Sequence, residues 1–126
     1  QEIGRVILNL ITNAFYAVDE KKKTTQPLDG LKYEPTVSVT TSFIPPSADG
    51  GQRGAAIISV SDNGSGIPQA ALGKIFQPFF TTKPSGQGTG LGLSMSYEIV
   101  TKGHGGELKV ENKPGEGATF TILLPV

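Results

Sequence analysis

Apolar positions recur at helical spacing from the start of the chain. Ile3, Val6, Ile7, Leu10, Ala14, Ala17 and Val18 share one stripe. Lys21, Lys22 and Lys23 follow it, where cations oppose the partial negative charge of a helix C-terminus. A first helix is therefore predicted over about residues 2–20. The polar stretch 24–35 reads as a loop. In TVSVTTSF (36–43) Val37, Val39, Thr41 and Phe43 alternate with small polar residues before Pro45 and Pro46 end the run, as a strand requires. AAIISVSD (55–62) is a second strand, and PPSADGGQRG (45–54) between them a long, mobile hairpin tip. Residues 63–92 are loop-rich. LSMSYEIVTKG (93–103) then reads as a helix closed by Gly103, and GELKVEN (106–112) and ATFTILLP (118–125) as an antiparallel pair around the turn KPGEG. This order predicts an α+β two-layer sandwich, one sheet with helices packed on one face.

A chain of 126 residues makes one domain able to bury roughly two-thirds of its unfolded surface. The absence of Cys excludes disulfides and thiolate metal sites, and a lone His104 excludes a His-rich one. Eleven basic and eleven acidic residues balance, so the broad positive field of a nucleic-acid binder is missing. No apolar run reaches the ~18 residues a membrane span needs, and no basic-then-apolar leader opens the chain. The chain opens inside an apparent helix without a cap, which predicts a piece of a longer protein.

Two features ask for chemistry. Asn9 and Asn13 lie four residues apart on an apolar helix, on one face about a quarter turn from the centre of the stripe. Glycine clusters in DNGSGIP (62–68) and GQGTGLGLS (86–94), where backbone N–H groups can approach a ligand closely. Neither cluster has the spacing of a P-loop or of Gly-x-Gly-x-x-Gly after a strand. What remains is a strand ending in Asp62 with a glycine turn, and a glycine loop running into a helix N-terminus suited to phosphate.

These residues resemble the ATP-binding catalytic domain of bacterial two-component sensor histidine kinases, within the Bergerat-fold superfamily. NLITNAFYA looks like the N box, DNGSGIP the first glycine box, IFQPFFTTK the phenylalanine box and GTGLGLS the second glycine box. HGGELKVEN and GATFTILLP resemble the closing strands. The likeness covers nearly the whole chain and implies a Bergerat sandwich with a mixed, mostly antiparallel sheet, residues 1–126 forming one catalytic domain. It also implies that the first strand, normally ahead of the N box, lies outside this chain.

The resemblance implies Mg²⁺-ATP as ligand and transfer of its γ-phosphate to a histidine on an upstream dimerisation domain, then to a response regulator receiver domain. Asn13 would ligate Mg²⁺, with Asn9 assisting. Magnesium prefers hard oxygen ligands and shares the phosphates of its substrate. Hydrolysing cousins carry a glutamate at the position of Asn9; its absence favours transfer over hydrolysis. Asp62 would accept a hydrogen bond from the adenine amino group, Gly64 and Gly66 would let the loop pass close to the base, and Ala17, Ile67 and Thr119 would also bind the nucleotide. Lys83, expected with Asn9 and Asn13 to be catalytic, would meet the β- or γ-phosphate, Gly88, Gly90 and Gly92 with the amides of Leu91 and Leu93 would cradle the phosphates, and Thr82 and Thr89 would also bind the nucleotide. Phe76, with Phe79 and Phe80, is read as packing in the core and lid over the nucleotide more than stacking on the base. The stretch 83–90 is expected to order around the triphosphate. His104 is a turn residue, not the acceptor. The domain is expected in the cytoplasm, within a homodimeric full-length protein whose membrane attachment is left open. A serine kinase or an ATP-hydrolysing clamp of the same fold is the alternative.

Overall fold

A computed structural model of the protein describes residues 2–24, 33–78 and 92–126. Helix α1 (Glu2–Thr24) presents Val6, Leu10, Ala14 and Val18, each one turn after the last, as its buried edge. It runs four residues past the predicted end. Lys23 pairs with Asp19 at 3.2 Å one turn back, and the Thr24 hydroxyl donates to the Glu20 carbonyl at 3.2 Å. Strands β1 (Val37–Ile44) and β2 (Ala55–Asp62) form the expected hairpin. Its tip is closed by its own hydrogen bonds, with Ser47 N–H to Gln52 O at 2.9 Å and Gly51 N–H to the Asp49 carboxylate at 2.9 Å.

The segment read as loop contains a short 3₁₀ helix, Gln69–Lys74, whose Ala71 is buried. Helix α2 (Gly92–Glu98) continues as a π-helical turn, Ile99–Gly103. Gly103 does not close it. His104, exposed, ends the turn, and Gly105 takes the positive φ of 65° from which the chain reverses. Strands β3 (Glu107–Lys113) and β4 (Gly117–Pro125) complete the sheet.

The strand order is β1-β2-β4-β3, and all three ladders are antiparallel. β2 and β3 therefore run in the same direction with β4 between them, so the chain linking them must cross a face of the sheet, and α2 makes that crossing. Alternation assigns the faces. Val60, Leu108, Ala118, Phe120 and Ile122 point to the helical layer and form one cluster with Val6, Leu10 and Ala14 of α1, Ile75 and Val100. The fold is the two-layer α+β sandwich that the sequence predicts. Among the described residues no helix is long and apolar enough to cross a membrane.

Candidate functional site

Asn9, Asn13, Ala17 and Lys21 follow one another at intervals of four, so they line a single row about 18 Å long on α1, beside its buried edge. At one end of the row Asn9 Nδ2 donates to Ser96 Oγ at 3.2 Å and reaches the Gly92 carbonyl at 3.5 Å. Ser96 is fully buried, and this amide satisfies its hydroxyl. A carbonyl only accepts, so Gly92 draws the amide nitrogen and leaves Oδ1 turned toward the other side. Asn13 sits one turn further along, half-buried.

The other end of the row abuts the glycine turn after β2. A Cβ placed on Gly64 would lie 2.9 Å from the Cβ and main-chain atoms of Ala17, so only glycine allows the turn to lie this close to the helix. Beyond it, Lys21 Nζ donates to the carbonyls of Asn63 (3.3 Å), Gly64 (3.5 Å) and Gly115 (3.0 Å) and stands 4.9 Å from the Tyr33 ring centroid.

Asp62 ends β2 with its side chain on the helical face, half-buried. Burial pushes its carboxyl above the ordinary value; N–H bonds from Gly64 (2.8 Å) and Ala118, and the Lys21 charge, pull it back. Asn63 is turned away, its carboxamide accepting from Thr36 N–H at 2.8 Å and donating to the Glu34 carbonyl at 2.8 Å, which fixes the lead into β1. The far side of the turn is held by β3. Asn112 accepts from Ile67 N–H at 2.7 Å and donates to the Ile67 carbonyl at 2.8 Å, imitating a strand pairing with its side chain. Gly66, at φ 78°, leaves no room for a Cβ, which would fall 2.8 Å from the Lys113 carbonyl.

Of the residues expected at the site, Asn9, Asn13, Ala17, Asp62, Gly64, Gly66 and Ile67 are brought to the row or its adjoining turn. Gly92 and Leu93 open α2 beside Asn9, and Leu93 packs on the core. Phe76 is half-buried and packs against the core, with Tyr97 (centroids 5.0 Å apart) and edge-on to Phe120 (6.4 Å). Thr119 is not brought to the row. It faces the other side of the sheet, its hydroxyl 2.7 Å from that of Ser61, and its neighbour Ala118 is the residue beside Asp62. Phe79, Phe80, Thr82, Lys83, Gly88, Thr89, Gly90 and Leu91 lie outside the described residues. Sequence reasoning missed Lys21, Ser96, Asn112 and Ala118. Extending the spacing of four beyond Asn9 and Asn13 leads to Lys21, and the strand alternation from Phe120 leads to Ala118; nothing in the sequence pointed to Ser96 or Asn112.

The family model for histidine kinase-, DNA gyrase B- and HSP90-like ATPases matches residues 1–126. The chain belongs to this family. Among curated relatives, the sensor histidine kinase ZraS of Escherichia coli K12 is 39% identical over 125 residues, 98% of this chain and 22% of ZraS. The signal transduction histidine-protein kinase AtoS of the same organism is 54% identical over 69 residues, 55% of this chain and 11% of AtoS. The solved catalytic domain of the histidine kinase ThkA aligns over 98% of this chain and 66% of its own, with 31% identity and a TM-score of 0.71. Full-length ShkA, solved in complex with AMPPNP, aligns over 98% of this chain and 21% of its own, with 27% identity and a TM-score of 0.69. The chain thus spans about a fifth of ZraS and of ShkA, and its fold is that of histidine kinase catalytic domains.

Proposed function

We propose that the row on α1 and the Asp62 turn hold Mg²⁺-ATP, and that the chain delivers the γ-phosphate to a histidine on an acceptor and dimerisation domain, from which it passes to a response regulator receiver domain. The observation that carries this reading is the row itself. One helix face runs from the start of α2, where the second glycine box ends, to a half-buried carboxylate at the first glycine box. The complex of the related ShkA with AMPPNP, a triphosphate analogue, supports the same ligand class here.

Asp62 accepts a hydrogen bond from the adenine amino group. Guanine carries a carbonyl at that position and would leave the carboxylate facing another acceptor, so selectivity for ATP follows. The Ala118 N–H on β4 bonds the same carboxylate. At the other end, the Asn13 and Asn9 amide oxygens are hard donors suited to magnesium. Among the described residues no group of three or more His, Cys, Asp or Glu is placed to hold a metal, so the cation here relies on amides and on the oxygens its nucleotide brings. Bound magnesium supplies neutralisation of the phosphate charge. Lys83 adds a point charge to the phosphates. Asn9 offers no base to activate water, which favours transfer to an acceptor over hydrolysis.

Incubation of the chain with γ-labelled ATP and the histidine-bearing domain of its own full-length protein tests this reading. The expected label sits on the added domain and is acid-labile and alkali-stable. Acid-stable label on serine would replace the reading with a serine kinase. Phosphate release without labelling would replace it with a hydrolysing clamp.

A further inference from the structure

Lys21 closes the row without entering the ligand chemistry above, and its surroundings differ from those of its neighbours. Lys23 makes only exposed ion pairs, with Asp19 and Glu20. The Lys21 ammonium, among the described residues, meets three main-chain carbonyls from two separate turns. Tyr33 covers it with its ring and donates its own hydroxyl to the Asn63 carbonyl at 3.0 Å. Two of the three carbonyls, those of Asn63 and Gly64, belong to the peptide units that follow Asp62. The third, Gly115, tops the β3–β4 turn, whose own N–H is bonded to the Ser65 carbonyl at 2.7 Å. One cation thereby ties α1, the glycine turn and the last hairpin into a single unit.

We propose that Lys21 is a positioning residue for adenine recognition: its ammonium fixes the glycine turn against α1 and so sets where the Asp62 carboxylate meets the base. This rests on the nucleotide reading above. Lys21 does not touch the ligand; it acts through the Asn63 and Gly64 carbonyls and through its charge. Among the described residues, the groups that face the carboxylate are the Lys21 ammonium from α1, the Tyr33 phenol ahead of β1, and the N–H groups of Gly64 in the turn and Ala118 from β4. Burial raises the Asp62 carboxyl, and the Lys21 charge opposes that rise. Removing the charge therefore protonates Asp62 at a higher pH and withdraws the acceptor from adenine. The Gly115 contact is exposed and those to Asn63 and Gly64 are part-buried, so water has access to carbonyls that lose their donor and the fold is expected to survive.

Metal-free ADP isolates the adenine end, and Mg²⁺ with inorganic tripolyphosphate isolates the other. Both are titrated calorimetrically into the 126-residue chain and its Lys21→Met, Lys21→Gln, Lys21→Arg and Asp62→Asn variants across the acid range. Lys21→Met and Lys21→Gln are expected to weaken ADP about tenfold, near the lower end for a hydrogen bond to a charged group, and to move the acid loss of ADP binding to higher pH. Lys21→Arg, which keeps the charge and several donors, restores most of the affinity and the original pH midpoint. Tripolyphosphate binding is unchanged in all three. Unaltered ADP affinity and pH midpoint in Lys21→Met, with binding weakened in Asp62→Asn, would overturn this inference and leave the nucleotide reading standing. Equal loss of ADP and tripolyphosphate would make Lys21 a general structural residue and also overturn it. Failure of the unaltered chain to bind ADP would remove both.

Discussion

The Asp62 carboxylate is held above its ordinary range by burial, against the pull of two N–H groups and the Lys21 charge. A carboxyl with a folded pKa above its unfolded one binds its proton more tightly in the native state. Its burial penalty is therefore fully present above the folded pKa and disappears as pH falls below the unfolded one. Asp62→Asn should raise the melting temperature of the nucleotide-free chain at neutral pH, with the gain shrinking on acidification through that window; thermal melts at a series of pH values read it. The same substitution should weaken ATP by roughly tenfold to a hundredfold, because a charge-assisted hydrogen bond of about 1.5–3 kcal/mol is lost. A more stable protein that binds less well is what separates a ligand-facing carboxylate from a structural one. At the opposite end of the row, Asn13→Ala should weaken Mg²⁺-ATP and leave metal-free adenosine nearly untouched, since its oxygen acts only through metal and phosphates. Equal losses for the two ligands, measured by titration, would move Asn13 from the metal to the pocket wall.

Helix α1 has two roles at adjoining angles, with Val6, Leu10, Ala14 and Val18 in the core and Asn9, Asn13, Ala17 and Lys21 along the proposed site. Leu10, almost wholly buried, should cost about 2–5 kcal/mol as Leu10→Ala, read from the urea midpoint. Gly64→Ala drives a methyl into Ala17 and should cost about 1–3 kcal/mol by overpacking. Ala17→Gly in the same chain removes the opposing methyl and should recover part of that loss, a coupling that a double-mutant cycle measures. These two roles explain what the sequence disclosed. The apolar stripe and the alternating strands write their periods directly into the residues, so α1, the four strands and α2 were legible. The last turn of α1 was not, because Asp19–Lys23 pairing and the Thr24 back-bond extend a segment with no apolar residues. The helix end at His104 and Gly105 was displaced by the π-helical turn, which no spacing rule anticipates. The glycines of the first box were expected to admit a ligand. Gly64 and Gly66 also admit the protein's own Ala17 and Lys113, contacts that exist only once α1 and β3 flank the turn.

The whole molecule brings the two ends of the site together by topology. β2 delivers Asp62 to the helical face, α2 crosses back beside α1, and the β3–β4 hairpin returns Asn112 and Ala118 to the glycine turn. Phosphoryl transfer depends on placing an acceptor in line with the γ-phosphate, and His104 is exposed at the end of the π-helical turn, bordered by glycines. The isolated chain should therefore bind ATP with negligible self-labelling; stable label on His104 after incubation with γ-labelled ATP would refute that separation. The central claim is that one face of α1 and the Asp62 turn form the nucleotide site. Amide and side-chain NMR shifts of the isotopically labelled chain, followed during titration with Mg²⁺ and a non-hydrolysable ATP analogue, test it most directly. Saturable shifts are expected at Asn9, Asn13, Ala17, Asp62, Gly64, Gly66 and Ala118, and none at the β1–β2 tip around Asp49 or at Glu107 and Lys109. Absence of shifts along the α1 row, or saturable shifts confined to the opposite face of the sheet around Ser61 and Thr119, would contradict it.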